Sequence, residues 1–309
     1  MKDNKELILL MLVLFVVVGL LYSPLKKYKQ SHSVGQSSSS IQTSSNTNYS
    51  QSKSTEESLE DIQSGVKNLQ KNLSEEVEKS KRSPYYDKIR MSSIWGLNQA
   101  DPSQEYLSIS TSLSKNETVK ITGWYLKSEI TGYYAAIGGA SLLPFPFNRN
   151  DSDVVLERGD RVYLTKGFSP IGISFRTNKC TGYFEEDRTF YPSLRTECPR
   201  AEDENLPKFS NDYDVNDDCV MTIERISRCT TVDSEFIRDL PDTIPQSCKD
   251  YMADQINYNT CVALHYGDTD FPSGEYRIYL NKFGPLWLKM HDKINLYDQN
   301  GLIVDSISY

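Results

Sequence analysis

The stretch from Glu105 to Ser128, EYLSISTSLSKNETVKITGWYLKS, limits what this chain can fold into more than any other, because apolar and polar side chains alternate along it. In Glu105-Tyr106-Leu107-Ser108-Ile109-Ser110 the period of two lets a strand bury Tyr106 or Leu107 with Ile109 while its other face meets water. Thr118 to Leu126 repeats the alternation after Ser114-Lys115-Asn116-Glu117, whose side chains offer the backbone local hydrogen bonds in place of a strand or helix. The stretch reads as two β segments joined by a turn, an opening hairpin, with Trp124 and Leu126 as its largest apolar groups.

A Glu-Tyr strand entry, a polar turn and then a strand ending in Gly123-Trp124-Tyr125-Leu126 together resemble the lamin-tail domain. That family is an immunoglobulin-like β-sandwich that also occurs on bacterial cell-surface proteins. Leu156-Glu157-Arg158-Gly159-Asp160-Arg161-Val162-Tyr163-Leu164 is similar to the family's later strand entry, and Asp292 to Ser306 is similar to its closing hairpin. The position of the family's second acidic residue on the first strand is Ser108. The resemblance spans residues 86–199 and 275–309. It implies a mainly β sandwich in two parts, 83–199 and 275–309, with Trp124 and Trp287 between two sheets. It also implies a binding or tethering role, because the family is a scaffold with no shared catalytic centre.

Ahead of this body, residues 7–22 (LILLMLVLFVVVGLLY) are apolar and uncharged, with Lys2 and Lys5 before them and Lys26, Lys27 and Lys29 after. About 17 to 20 such residues suffice to cross the hydrocarbon layer of a membrane. Residues 1–29 therefore read as an uncleaved transmembrane anchor, since no A-x-A-like cleavage site follows the run. Lysine counts lean slightly toward a cytoplasmic C-terminal side, but large domains translocate largely regardless of so small a bias. The expected topology is a cytoplasmic N-terminus with an exported, surface-exposed body. Residues 30–54 are Ser-rich and too poor in apolar groups to offset chain entropy, which makes them a flexible linker. Across 55–82, Leu59, Ile62, Val66, Leu69, Leu73 and Val77 recur at spacings of three and four. That spacing predicts a lone amphipathic helix, packed on the sandwich or marginal and solvated, or a short parallel coiled coil joining copies through residues 59–77.

All six cysteines fall between Cys180 and Cys261, none in a C-x-x-C pair. An even set in an exported body reads as three disulfides. The expected pairs are Cys180 with Cys198, Cys219 with Cys261, and Cys229 with Cys248, the last two nested across antiparallel helices. Residues 200–274 are then a small helical insertion stapled by sulfur. Cys219 to Ile226 and Cys248 to Cys261 supply its helices, and Pro241 and Pro245 break the segment between them.

The net charge of −8, with no Lys/Arg stripe interleaved with aromatics, argues against nucleic acid as a partner. Asp212, Asp214 and Asn216 alternate like the start of a calcium loop, but Asp217 and Ile223 occupy the loop's glycine and bidentate-carboxylate positions, so an acidic helix N-terminus fits better. Gly167 to Gly172 lacks the G-x-S-x-G spacing of a nucleophile elbow, and Pro170 lacks the N–H an oxyanion hole would need there. No H-E-x-x-H motif or phosphate-cradling loop is present, and no cofactor is expected. The sequence thus points to a membrane-anchored binding or tethering protein for an extracellular protein or glycan. Tyr183, Phe184, Tyr251 and Tyr258 are its candidate contact residues. The competing readings are a cell-envelope hydrolase using His265 or acidic residues of the insertion, and an oligomeric spacer.

Overall fold

The computed structural model describes residues 49–309, with side chains from residue 61 onward. The chain divides into two units, 1–66 and 67–309. The apolar run at 7–22 and nearly all of the expected linker lie outside the described residues. Among those that are described, no helix is long and apolar enough to cross a membrane.

Helix α1 runs Tyr49–Ser80, so it begins inside the stretch expected to be linker. In the second unit its residues 67–80 are exposed, Leu69, Leu73 and Val77 included.

The rest of the second unit is mainly β. Its strands are β1 (Ile89–Met91), β2 (Tyr106–Thr111), β3 (Val119–Lys120), β4 (Tyr125–Ser128), β5 (Tyr134–Ala136), β6 (Ala140–Ser141) and β7 (Asp151–Ser152). They continue as β8 (Val155–Leu156), β9 (Arg161–Thr165), β10 (Phe175–Asn178), β11 (Pro272–Tyr279), β12 (Lys293–Tyr297) and β13 (Ile303–Ser308). One sheet of seven strands has the order β1-β2-β9-β11-β10-β6-β7, a second has the order β13-β12-β4-β5, and β3 pairs with β8. The first sheet is mixed, because β9 runs parallel to β11, with Val162 opposite Tyr276 and Leu164 opposite Ile278.

The opening hairpin is corrected. Strand β2 pairs with β1 and β9, whereas β4 pairs with β12 and β5 in the other sheet. The turn formers at 114–117 thus carry the chain from one sheet to the next. The apolar halves of both alternating segments nevertheless face one core: Leu107 and Ile109 from β2 join Trp124 and Leu126, all at most 1% exposed. Val162, Leu164 and Ile278 of the first sheet, with Ile294, Leu296 and Val304 of the second, complete that core around Trp124 and Trp287. A period-two pattern fixes which face of a strand is buried; its pairing partner depends on distant segments.

The closing hairpin forms as expected, β12 pairing with β13. Its turn is set by Gly301 at φ +77. The Asp298 carboxylate accepts from the backbone N–H groups of Asn300 and Leu302 at 2.8 and 3.0 Å. A position with φ > 0 costs a side-chain-bearing residue and suits glycine.

Between β10 and β11 lie the helices α2 (Tyr213–Glu224), α3 (Ser234–Arg238), α4 (Gln246–Gln255) and α5 (Tyr258–His265). The expected single helix at 248–261 is two, separated at Asn257, whose side chain caps α5 by accepting from the Thr260 N–H. That break changes the disulfide pattern. All six cysteines are bridged as anticipated, but the pairs are Cys180–Cys261, Cys198–Cys229 and Cys219–Cys248. Cys219 on α2 and Cys248 on α4 share a small core with Ile223 and Met252. Cys261 on α5 instead packs with Cys180, Cys198 and Cys229 in a second core beside the sheet. Two helices with different packing partners cannot carry the nested bridges of one antiparallel pair.

Candidate functional site

A cleft of about 410 Å³ lies beside the sheet, at the end of the insertion. One wall is the sheet, where β9, β11 and β10 lie side by side: Arg161 comes from β9, Thr177 from β10 with Lys179 just past its end, and Ser273 and Glu275 from β11 with Asp270 just before it. The other wall is the strap carrying Arg195 and Glu197. Gly159 and Gly274 also line the cleft, and a Cβ on Gly274 would meet Asp160 Oδ1 at 2.7 Å.

Disulfides hold both of these walls. Cys180, between Lys179 and Thr181, is bonded to Cys261, and Cys198, next to Glu197, is bonded to Cys229. Gly182 lies under the second bridge: a Cβ there would come 2.4 Å from Cys229 Sγ and 2.6 Å from the Arg195 carbonyl oxygen. Arg277, 2% exposed, anchors the strap from inside. It donates to the Ser193 carbonyl at 3.0 Å, to the Pro192 carbonyl, and to Glu275 at 2.6 Å.

The charges in the cleft are unequally matched. Lys179 Nζ sits 2.6 Å from Asp270 and 2.9 Å from Asp268, and the hydrogen bonds it donates to Asp270 and then Asp268 raise its pKa. Glu275 is matched by Arg277. Arg161, Arg195 and Glu197 make no ion pair among the described residues; Arg161 has a long 3.5 Å contact with the Tyr163 hydroxyl and lies within the charge field of Glu275. The guanidiniums of Arg161 and Arg195 suit a ligand with oxygen acceptors, because guanidinium donors form charge-assisted, often bidentate bonds to carboxylates and phosphates; the hydroxyls of Thr177, Thr181 and Ser273 are already bonded within the protein.

The sequence-predicted aromatic contacts are displaced by this geometry. Phe184 and Tyr258 face inward, their ring centroids 4.4 Å apart, and both are buried together with Tyr183. The Tyr258 hydroxyl donates to the Pro144 carbonyl at 2.6 Å, and burial pushes its pKa up to about 12. Burial, helped by the charges of Glu186 and Glu204, moves Tyr183 to about 12 as well. Tyr251 packs against Phe209 at 5.3 Å. Tyr183, Phe184 and Tyr258 belong to the core where the insertion meets the sheet rather than to a stacking surface, and Tyr251 is half-buried. Only Tyr183 and Tyr251 come near each other at a concavity, a pocket of about 30 Å³ that also includes Glu204 and His265.

His265 is bridged by two carboxylates, Nε2 to Glu204 at 2.8 Å and Nδ1 to Asp268 at 2.9 Å. Burial lowers its pKa, but the hydrogen bonds and charges of Asp268 and Glu204 exceed that and leave it raised. With both ring nitrogens facing carboxylates, neither is placed to take a proton from a hydroxyl nucleophile. The acidic stretch at 212–216 forms the helix N-terminus expected in preference to a calcium loop. Asp212 Oδ1 accepts from the N–H groups of Asp214 and Val215, and Asn216 Oδ1 accepts from Phe209 N–H. Among the described residues no group of side chains is arranged to hold a metal ion.

Sequence reasoning did not single out Arg161, Lys179, Arg195 or Glu197. The available signal was their position beside Cys180, Cys198 and the Gly159 turn. The chain matches no protein-family model, no curated protein and no solved structure.

Proposed function

We propose that this chain is a membrane-tethered protein with an exported body, a lamin-tail-like, immunoglobulin-like sandwich that binds a small anionic, hydroxyl-bearing ligand such as an acidic saccharide. The observation that carries the binding reading is the pair of guanidiniums without an ion-pair partner among the described residues, Arg161 and Arg195, in one cleft that they share with the equally unpaired Glu197. Disulfide-held walls favour binding further, since a preorganised site loses less entropy when it closes on its ligand.

Export rests on different support. Three disulfides in one body belong to an oxidising compartment, and the lysine-flanked apolar run at 7–22 supplies a span long enough to tether it. Protease shaving of intact cells, followed by non-reducing mass mapping, tests this. The expected fragments are released from the surface and joined through Cys180–Cys261, Cys198–Cys229 and Cys219–Cys248; protection from protease or free thiols in the native protein would overturn export. Ligand binding is tested with uronate oligosaccharides against the full chain. Arg195→Ala and Arg161→Ala should each weaken binding about tenfold or more, as loss of a charge-assisted hydrogen bond costs about 1.5–3 kcal/mol. Equal binding by wild type and both variants overturns the cleft assignment.

A further inference from the structure

We infer that His265 is a proton-operated latch on the cleft, fastening the end of the strap to the lead-in of β11 when its ring is charged and releasing one of them when it is neutral. The effect on a ligand rests on the cleft reading above; the latch itself rests on geometry alone. His265 ends α5, and its two ring nitrogens reach segments that lead to opposite walls of the cleft. Nε2 meets Glu204 at 2.8 Å, and Nδ1 meets Asp268 at 2.9 Å. Glu204 closes the short turn Ala201–Asp203, which follows the strap and its anchored Cys198. Asp268 lies just ahead of Asp270, which lines the cleft, and meets Lys179, a second lining residue, at 2.9 Å.

The chemistry of these three groups makes the connection depend on one proton. An ionised carboxylate only accepts hydrogen bonds, and a neutral imidazole has one N–H and one lone pair, so a neutral ring can donate to only one of two carboxylates. Charged, it donates to both. Once the proton leaves, one nitrogen turns a lone pair on a carboxylate oxygen, and that link opens. The surrounding groups do not compensate. Asp268 is held ionised by Lys179 and then by the ring, and Lys179 is also paired with Asp270 at 2.6 Å. Arg200 is paired with Glu202 at 2.7 Å, and Glu186 accepts from the Thr231 N–H at 3.0 Å. Tyr183 and Tyr251, which share the small pocket with the ring, have pKa values raised by burial and stay protonated. The imidazole is thus the group that changes state near neutral pH. Burial works against its charge, but the hydrogen bonds and charges of Asp268 and Glu204 outweigh burial and move the change above the ordinary value of 6.5.

Hydrogen exchange in the ligand-free full chain tests the latch without any ligand. Corrected for intrinsic rates, exchange of the 192–206 amides should rise about fivefold or more between about pH 6 and about pH 8.5. His265→Gln, whose single amide cannot span both carboxylates, should exchange fast at both pH values. Glu204→Gln should exchange slowly at both, because its amide can donate to the lone pair of a neutral ring and keep the link. Exchange that is level with pH in the wild type overturns the latch, and so does a pH dependence that survives either substitution. Binding of a uronate oligosaccharide should weaken by a similar factor over the same range in the wild type and stay level in both variants. Level binding in the wild type alongside rising exchange overturns control of the cleft by the latch. Absence of binding at every pH, with the exchange pattern intact, overturns the cleft reading and supports the latch.

Discussion

Lys166→Met isolates one buried ion pair whose removal should be felt across the whole body. Lys166 Nζ lies 2.9 Å from both oxygens of Glu105, and the two side chains are each 8% exposed. Trp287 Nε1 donates to the same carboxylate at 2.9 Å, so the pair ties the entry to β2, the end of β9 and the β11–β12 connection at one point. Removing the lysine leaves the carboxylate buried with one remaining donor. Breaking such a pair from one side costs about 3–5 kcal/mol, because a charge is left without its counterion away from water. At about 2–4 °C per kcal/mol for a body of this size, the thermal midpoint should fall by about 6–20 °C. The assay is thermal unfolding of the full chain followed by tryptophan fluorescence, with near-ultraviolet circular dichroism as a second probe. The double variant Glu105→Gln/Lys166→Met should recover more than half of the loss, since a neutral amide still accepts from Trp287 and no charge remains buried. A fall under about 2 °C in the single variant, or a double variant no better than the single, would refute the argument that desolvation of Glu105 dominates.

Other perturbations separate the remaining features. Removing the Cys198–Cys229 bridge with paired serines should cost about 2–5 kcal/mol, seen as a lower urea midpoint, and should loosen ligand binding because the strap at 192–197 loses one of its fixings. Gly182→Ala should prevent clean closure of that same bridge, since the new Cβ meets a sulfur and a backbone carbonyl that cannot both retreat; mass mapping of a fully oxidised protein with normal stability would contradict this. The His265 clamp makes stability depend on pH. Because its folded pKa is raised, the contribution is complete below the ordinary value of 6.5 and is lost as pH rises through the folded value. Urea midpoints should therefore decline as pH rises from 6.5, and His265→Gln should flatten that decline. Gly65→Ala meets nothing within 4 Å, so it should strengthen α1 by roughly 0.5–1 kcal/mol, read as a higher midpoint for loss of helical circular dichroism.

What could be read from the residues follows from the range over which each pattern acts. The alternation in Leu107-Ser108-Ile109 determines a buried face because the pleat is a local property, and that face is buried. The assignment of β2 and β4 to different sheets could not be read, because their partners β9 and β12 come from far along the chain. A disulfide has the same character. Cys261 follows Cys248 closely in sequence, yet the cap at Asn257 turns α5 toward the sheet, so Cys261 meets Cys180 while Cys248 stays with Cys219 on α2. Aromatic content misled for a related reason: Tyr183 and Phe184, from ahead of the insertion, and Tyr258, from within it, meet Ile171, Ile173 and Phe175 in one core, a long-range contact that their own neighbours in sequence do not announce. The polar residues left outside that core, Arg161, Lys179, Arg195 and Glu197, then meet around the cleft. Binding chemistry in this body is therefore to be sought beside the cysteines, where covalent bonds fix the backbone, and not at the rings buried in that core.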